Sequence, residues 1–245
     1  MKEQFFGVQV NTEGYKELIN ELFSRLNNKE KSFIVAINPE KLMKAKEDPK
    51  LRSILNTATF QIPDGIGVII ASKLQKGNIK ERVTGIDMME QLCQRASETG
   101  ESIFMYGAKP GIAQTAAQNL IKKYPMLKIA GILDGYEKDR EMIIQTINES
   151  GASILFVAMG SPRQEEFIIQ EMPHLNPSIY QGVGGSFDVF AGVIDRAPVV
   201  FQKFGLEWFY RLMKEPSRWK RQLILPMFLL TILKEKRKSD GFADE

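Results

Sequence analysis

The alternation of short β-rich runs with amphipathic helical patterns constrains this chain more than any other feature of its sequence. Over the first 200 residues, segments rich in Val, Ile and Phe are followed by stretches whose apolar residues recur at helical spacing. Such alternation is typical of βαβ units, in which helices flank a largely parallel sheet. The predicted fold class is α/β with a Rossmann-like sheet, and the predicted strands are "QFFGVQV", "SFIVAI", "TATFQI", "SIFMYG", "LKIAGIL", "SILFVAM" and "SIYQGV".

Several helix ends can be read from single residues. Asn11 or Thr12 is expected to cap the helix "EGYKELINELFSRL", and Thr84 the helix "GIDMMEQLCQRASE", because these side chains accept hydrogen bonds from a first helical turn. Gly100 follows that second helix, where a glycine commonly ends one.

Composition bounds the domain count and the compartment. The 245 residues are 43% hydrophobic, which supports one large domain or one domain with an appendage. Cys93 is the only cysteine, so no intramolecular disulfide is possible, and this fits a reducing cytosol. No signal-peptide pattern and no apolar run of about 18 residues is present, so we expect a cytoplasmic protein, soluble or peripheral on the membrane.

The basic charge is concentrated near the C-terminus. Residues 201–238 carry ten Lys and Arg against three Glu, a net +7, interleaved with aromatic residues and an eleven-residue apolar run. Such a stretch favours an anionic membrane surface, where each Lys or Arg contributes about 1 kcal/mol. The apolar run argues against nucleic acid as the partner. We predict a catalytic core over residues 1–195 and a basic amphipathic helical appendage over 196–245, with ordinary core helices as the alternative.

Unusual residues cluster where the predicted strands end. The segments that follow successive strands are "NPE", "PDGIG", "YGAKPG", "DGY", "MGSPRQE" and "GVGGSFDVFAG". In open α/β sheets, ligands bind outside the carboxyl ends of the strands, where helix N-termini attract anions. These loops therefore predict a nucleotide or sugar-nucleotide site.

Asp64 is the candidate catalytic residue in these loops. It stands between Pro63 and Gly65, directly after a strand and before the helix "IGVIIASKL". Alone, it reads as a helix N-cap. The flanking Pro and Gly, however, indicate a tight turn that bares the backbone at the ligand edge, where a carboxylate can take a proton from a substrate hydroxyl.

Glycines and arginines supply candidate phosphate contacts. Gly107 suits close approach of a phosphate or ribose to a helix start, although a plain helix start explains it equally well. The triple-glycine stretch with Gly184 and Gly185 favours a phosphate cradle more strongly. Arg82 and Arg163 can bind a diphosphate through two N–H groups at once. No D-x-D pair is present, so we expect metal-independent chemistry with no cofactor.

Taken in order, eight segments resemble the WecG/TagA/CpsF family of bacterial glycosyltransferases, most closely its TagA branch. They are "AINPEKLMKA", "IPDGIGVIIASKL", "RVTGIDMMEQL", "YGAKPG", "GSPRQE", "GVGGSFDVFAG", "RAP" and "LEWFYRLMKEPSRWKR". The resemblance implies transfer of N-acetylmannosamine from its UDP form to undecaprenyl-diphosphate-linked N-acetylglucosamine, which makes the β-1,4 linkage unit of wall teichoic acid.

The resemblance also implies roles for individual residues. Asp64 would act as general base on the C4 hydroxyl of the acceptor, which attacks the donor's anomeric carbon with inversion while UDP leaves. Asn38, Arg82 and Gln164 match pocket residues. Arg211, Arg218 and Arg221 match C-terminal arginines that would fold over the site and meet the diphosphate when the tail docks on the membrane. The core is also expected to self-associate.

Two departures concern the donor sugar. The family often has Thr where this chain has Ala36, and some members have Ser at the position of Gly67. UDP-N-acetylmannosaminuronic acid and UDP-glucose therefore remain alternative donors. Outside the family, the alternatives are a nucleotide-dependent oxidoreductase, for which the dinucleotide fingerprint is missing, and a membrane-surface binding module.

Overall fold

The computed structural model describes residues 1–214 and 223–241, and its centre is a six-stranded sheet. All neighbouring strands in this sheet pair in parallel. Its strands are β3 Ser32–Ile37, β4 Phe60–Pro63, β5 Ser102–Gly107, β6 Lys128–Leu133, β7 Ile154–Ala158 and β8 Ile179–Gly182, in the spatial order β4-β3-β8-β7-β5-β6. The predicted α/β class with a parallel, Rossmann-like sheet is confirmed.

Helices cover both faces of this sheet. In the described parts of the chain they are α1 Tyr15–Asn27, α2 Pro39–Glu47, α3 Pro49–Thr57, α4 Ile66–Leu74, α5 Gly85–Thr99, α6 Ile112–Lys123, α7 Arg140–Glu149, α8 Arg163–Glu171, α9 Ser186–Phe190, α10 Val199–Lys203, α11 Glu207–Lys214 and α12 Ile224–Gly241. Alternate strand residues enter two buried clusters, one shared with α2, α3, α4, α7, α8 and α12, the other with α1, α5, α6 and α9. All five residues of β7 are buried, as expected for a strand covered on both faces.

The N-terminal run predicted as one strand is a hairpin. β1 Lys2–Phe5 and β2 Val8–Asn11 pair antiparallel around a turn at Phe6 and Gly7, both of which have positive φ. The single-strand prediction was wrong because Gly7 allows the left-handed backbone that a two-residue hairpin turn needs. The hairpin is joined to the main sheet because the side chain of Asn11 accepts a hydrogen bond from the Gln61 backbone N–H at 2.8 Å.

The predicted helix ends were partly correct. The hydroxyl of Thr84 accepts a hydrogen bond from the Asp87 N–H at 3.2 Å, and Gly100 ends α5 with φ of 79°, so both predictions are confirmed. The predicted cap of α1 was wrong: Gly14 precedes that helix.

Neighbouring strands that are followed by helices on opposite faces recur across the sheet and form its switch points. β3 is followed by α2 on one face, whereas its neighbour β8 is followed by α9 on the other. β7 and β5 are related in the same way through α8 and α6. Helices that diverge to opposite faces leave a crevice beyond the carboxyl ends of the strands, which is where ligands bind in this class of fold. We call this side the carboxyl edge.

The chain after the sheet returns to the core. Phe228 and Ile232 of α12 are buried in the cluster shared with α2 and α4, and the Phe228 ring meets that of Phe6 edge-on, with centroids 5.7 Å apart. A surface ion pair joins Lys46 at the end of α2 to Glu235, with 2.9 Å between Nζ and Oε1. Residues 228–235 of α12 are therefore anchored to the α/β core.

Candidate active site

Asp64 lies at the carboxyl edge directly after β4. Its backbone N–H donates to the Ile37 carbonyl at 2.7 Å, which continues the pairing of β4 with β3 by one residue. Gly65, with φ of 97°, is the residue that precedes α4, and that helix has no side-chain cap. Asp64 is therefore not the N-cap of the helix that follows it.

The carboxylate of Asp64 instead faces the start of another helix. Its Oδ2 accepts a hydrogen bond from the N–H of Gly85, the first residue of α5, at 3.4 Å. Desolvation raises the pKa of Asp64 above its ordinary value, while that hydrogen bond and the charge of Arg82 act in the opposite direction. Glu207 raises the pKa and Lys41 lowers it. A half-buried carboxyl with a raised pKa is suited to exchange a proton near neutral pH.

Arg82 is held by the segment that follows the sheet. Its Nη1 lies 2.7 Å from Oε2 of Glu207, and its Nη2 donates to the Gln202 carbonyl at 3.0 Å. The other carboxylate oxygen of Glu207 lies 3.7 Å from Nε of Arg196. The structure thus places Arg82 near Asp64, as a site residue requires, but with protein partners already on its guanidinium.

The same segment reaches the first turn of α5. Arg196 Nη2 lies 2.5 Å from Oδ1 of Asp87, and Oδ2 of Asp87 accepts a hydrogen bond from the Thr84 hydroxyl at 2.6 Å. The Tyr15 hydroxyl accepts from the Thr84 N–H at 2.7 Å. Desolvation raises the pKa of Tyr15, so this phenol stays protonated. We call Arg82, Thr84, Asp87, Arg196 and Glu207 the α5 cluster.

Asn38 and its neighbours connect other loops of the carboxyl edge. The side-chain oxygen of Asn38 caps α2 by accepting from the Lys41 N–H at 2.9 Å. Lys41 Nζ lies 2.7 Å from Oε1 of Glu165, at the start of α8, and both side chains are buried. Burial pushes the pKa of Glu165 up, but the charge and hydrogen bond of Lys41, with a bond from Gln164, bring it below its ordinary value.

Both polar atoms of the Gln164 side-chain amide form hydrogen bonds within the protein. Its Nε2 donates to Oε1 of Glu165 at 3.1 Å, and its Oε1 accepts from the Gly184 N–H at 3.0 Å. A Cβ on Gly182 would lie 2.6 Å from Nε2 of Gln164, so the amide packs directly against the end of β8. The structure therefore brings Gln164 to the predicted edge, where it holds the glycine turn.

The predicted phosphate glycines have different structural reasons. Gly107 has φ of 116°, and a Cβ there would lie 2.4 Å from the Ala158 carbonyl oxygen, so close packing of β5 on β7 by itself demands glycine. Gly184 has φ of 52°, which fits a turn, whereas Gly185 has an ordinary φ of −79° and directly precedes the short helix α9. Gly184 and Gly185 thus remain the candidates for backbone contact with a ligand.

One corner of the crevice is formed by small side chains. A Cβ on Gly85 would lie 3.3 Å from that of Ala36 and 3.8 Å from Oδ2 of Asp64. Gln181 of β8 donates from Nε2 to the Gly85 carbonyl at 2.7 Å. Its buried Oε1 has no hydrogen-bond partner among the residues that the structure describes. Ala36 and the Asp64 carboxylate therefore both lie close to Gly85.

Of the three predicted C-terminal arginines, the structure describes only the backbone of Arg211. Arg211 lies in α11, but its side chain is outside the described part of the structure, as are Arg218 and Arg221 altogether. Their predicted contact with a diphosphate stays a prediction.

Sequence reasoning assigned no role to Lys41, Glu165, Arg196 or Glu207. All four stand inside segments already singled out, in "NPEK", "SPRQE", "RAP" and "LEWFY". The available signal was a charged side chain in or beside an edge loop. Their partners, 124 residues apart for Lys41 and Glu165, required the fold.

The fold and this edge define a Rossmann-like α/β protein with a half-buried acid and ion-paired basic side chains beyond the carboxyl ends of its strands, which is where this class of fold binds its ligands. A model of the glycosyl transferase WecG/TagA/CpsF family matches residues 3–241, and the chain belongs to that family. The prediction of a glycosyltransferase is confirmed.

Two relatives are similar over most of the chain. One, from Bacillus subtilis (strain 168), is named N-acetylglucosaminyldiphosphoundecaprenol N-acetyl-beta-D-mannosaminyltransferase. It is 40% identical over 210 residues, which is 85% of this chain and 82% of the relative. A protein of the same name from Bacillus spizizenii is 39% identical over 215 residues, 87% of this chain and 83% of that one.

Proposed function

We propose that this protein transfers N-acetylmannosamine from UDP-N-acetylmannosamine to undecaprenyl-diphosphate-linked N-acetylglucosamine, with inversion at the anomeric carbon and a β-1,4 product. Such a product is the linkage unit of wall teichoic acid. The names of two relatives that share 40% and 39% of their aligned residues with this chain support the substrates. The geometry around Asp64 supports the reaction type.

The single observation that carries the mechanism is the placement of the Asp64 carboxylate. It is half-buried at the carboxyl edge, against the N-terminus of α5, and close enough to Arg82 to feel its charge. In the proposed step Asp64 removes the proton from the acceptor hydroxyl, whose oxygen bonds to the anomeric carbon as the bond from that carbon to UDP breaks. The leaving diphosphate takes the electron pair, and the backbone N–H of Gly185 and basic side chains would stabilise its charge.

The raised pKa of Asp64 gives this mechanism a pH dependence. The base works only when deprotonated, so the rate should rise as the pH increases through the pKa of Asp64. Because desolvation is the largest influence and raises that pKa, the rising limb should lie above the ordinary range for an aspartate.

We also propose that the protein works at the inner face of the membrane. Among the described residues no helix is both long and apolar enough to cross a bilayer. The segments after the sheet do expose large apolar side chains, including Val199, Val200 and Phe204, and Met227 and Leu230 of α12. Together with the basic residues of this region, they suit an anionic bilayer surface. Self-association of the core stays a prediction.

A transfer assay tests the proposed reaction. Purified protein is incubated with a soluble lipid-diphosphate-N-acetylglucosamine analogue and, in turn, UDP-N-acetylmannosamine, its uronic acid and UDP-glucose. We expect product with the first donor. Product with only one of the other two donors would correct the proposed donor sugar. The comparison is informative because this chain has Ala36 where the family often has Thr. Binding of NAD but not UDP, with no transfer, would contradict the enzyme class proposed here.

Asp64→Asn tests the base itself. We expect kcat to fall by roughly 10²- to 10⁴-fold with the thermal midpoint little changed, since only one proton acceptor is lost. Asp48→Asn is the matched control, because Asp48 lies at the end of α2 away from Asn38 and caps α3 by accepting from the Leu51 N–H at 3.0 Å, and asparagine caps a helix about as well as aspartate. Near-normal turnover in Asp64→Asn would refute the assigned role.

A further inference from the structure

The segment that follows the sheet contributes a carboxylate to the base's surroundings. Glu207, the first residue of α11, places one oxygen 2.7 Å from Arg82 Nη1 and the other 3.7 Å from Arg196 Nε. All three side chains are largely buried, with the Glu207 side chain 17% exposed. An ion pair sheltered in this way is screened far less by water and salt than a surface pair.

Two structural routes lead from Glu207 to Asp64. The short one passes through Arg82, whose charge acts on the Asp64 carboxyl. The other passes through Arg196, which lies 2.5 Å from Asp87. Asp87 and Thr84 together fix the first turn of α5, and the Gly85 N–H in that turn donates to Asp64.

We propose that Glu207 is a positioning residue, which fixes Arg82 and the first turn of α5 around Asp64 and so makes the segment after the sheet part of the catalytic machinery. This inference rests on the proposed role of Asp64 as the base. Nothing in the family match or in the names of the relatives assigns a role to Glu207.

Charge provides a readout that a purely structural ion pair would not move. The described groups that act on Asp64 are Arg82 from the loop before α5, Lys41 from α2 and Glu207 from α11, with Tyr15 of α1 also coupled to it. Glu207 raises the pKa of Asp64, so its removal should lower that pKa.

The test compares Glu207→Gln with Glu235→Gln. The first keeps the size of the side chain and one hydrogen-bond acceptor for Arg82 but removes the charge. The second also removes a carboxylate that ties the C-terminal region to the core, but its partner Lys46 lies at the far end of α2 from Asn38. Protein labelled with ¹³C at the aspartate carboxyl carbons is titrated by NMR, with the Asp64 signal assigned from Asp64→Asn, and transfer rates are measured in parallel.

In Glu207→Gln we expect the Asp64 titration midpoint to fall below that of the unmodified protein, because a negative charge beside Asp64 is lost. We also expect kcat to fall about tenfold, because a small displacement of the base is costly. Glu235→Gln should leave the midpoint unchanged and the rate within about twofold of the unmodified protein. An Asp64 midpoint that is the same in both variants would overturn the inference, whatever happens to stability. Because the titration needs no substrate, a shifted midpoint in a protein that transfers nothing would count against the proposed function alone.

Discussion

The buried ion pair between Lys41 and Glu165 allows a quantitative prediction. Glu165 is completely buried, the Lys41 side chain is 11% exposed, and Oε2 of Glu165 has no hydrogen-bond partner among the described residues. In Lys41→Met the aliphatic stem remains but the charge is lost, so Glu165 keeps its burial without its cation. Breaking a buried pair in this way costs about 3 to 5 kcal/mol.

Lys50→Met is the matched control for this change. Lys50 pairs at 3.1 Å with Glu166, the residue next to Glu165, but their side chains are 78% and 31% exposed. A surface pair of this kind contributes about 0 to 1 kcal/mol. For a chain of 245 residues, a midpoint shift of about 2 to 4 °C per kcal/mol predicts a thermal midpoint lower by roughly 6 to 20 °C for Lys41→Met and by roughly 0 to 4 °C for Lys50→Met.

The pH dependence of the stability that Lys41→Met loses gives a second, independent check. In the unmodified protein the pKa of Glu165 lies below its ordinary value, so the stability it contributes is present above the unfolded pKa and is lost as the pH falls through the folded pKa. In Lys41→Met, desolvation dominates and the pKa of Glu165 should rise above its ordinary value. The penalty then grows as the pH rises through that folded pKa. The stability lost in Lys41→Met, relative to the unmodified protein, should therefore be smaller at pH 5.5 than at pH 7.5.

Differential scanning calorimetry of the two variants at both pH values measures these quantities. Adding Glu165→Leu to Lys41→Met should recover most of the loss, since an apolar replacement of a buried pair is often neutral or stabilising. A deficit equal to that of Lys50→Met, or one that does not change with pH, would refute the reasoning from burial.

Two further predictions concern α12. Phe228→Ala should lower the free energy of unfolding, measured in urea, by about 3 to 5 kcal/mol, or by the free energy with which α12 docks on the core if that is smaller. Leu230→Ala, at a position 58% exposed, should change it by less than about 0.5 kcal/mol. Equal losses in the two variants would mean that α12 does not pack on the core. Met227→Glu with Leu230→Glu should weaken sedimentation with anionic vesicles about tenfold or more without lowering the thermal midpoint, and unchanged binding would place the membrane contact elsewhere.

Local sequence signals were sufficient for most of the fold. Strands β3 to β8 and the ends of α5 could be read from the sequence because each depends on neighbouring residues: apolar runs, the hydroxyl of Thr84 and the left-handed Gly100. The N-terminal hairpin was missed because seven consecutive residues of strand-like composition masked the turn at Phe6 and Gly7. Residue composition indicates the secondary structure that a segment prefers, but a single glycine within a strand-like run can still form a turn.

The candidate site was only partly predictable for a different reason. That Asp64 follows a strand, and hence lies at the carboxyl edge, is a local inference. That its carboxylate faces α5 rather than α4 depends on how two distant elements pack, and so does the pairing of Arg82 with Glu207, 125 residues apart. A single sequence offers many acids and bases that could pair, and only the fold selects among them.

Gly67 shows how closely α12 packs against the elements on either side of the Asp64 turn. A Cβ at this position, in the first turn of α4, would lie 2.6 Å from both Leu225 Cδ1 and Pro39 Cγ. The start of α12, the helix that follows Asn38 and the helix that follows Asp64 therefore meet at one glycine. Movement of α12 at a membrane would be felt directly at this contact, because close-packed side chains transmit displacement with little slack. Leu225 of α12, at α4, and Glu207 of α11, at the Arg82 that precedes α5, thus reach the two helices whose first turns flank Asp64.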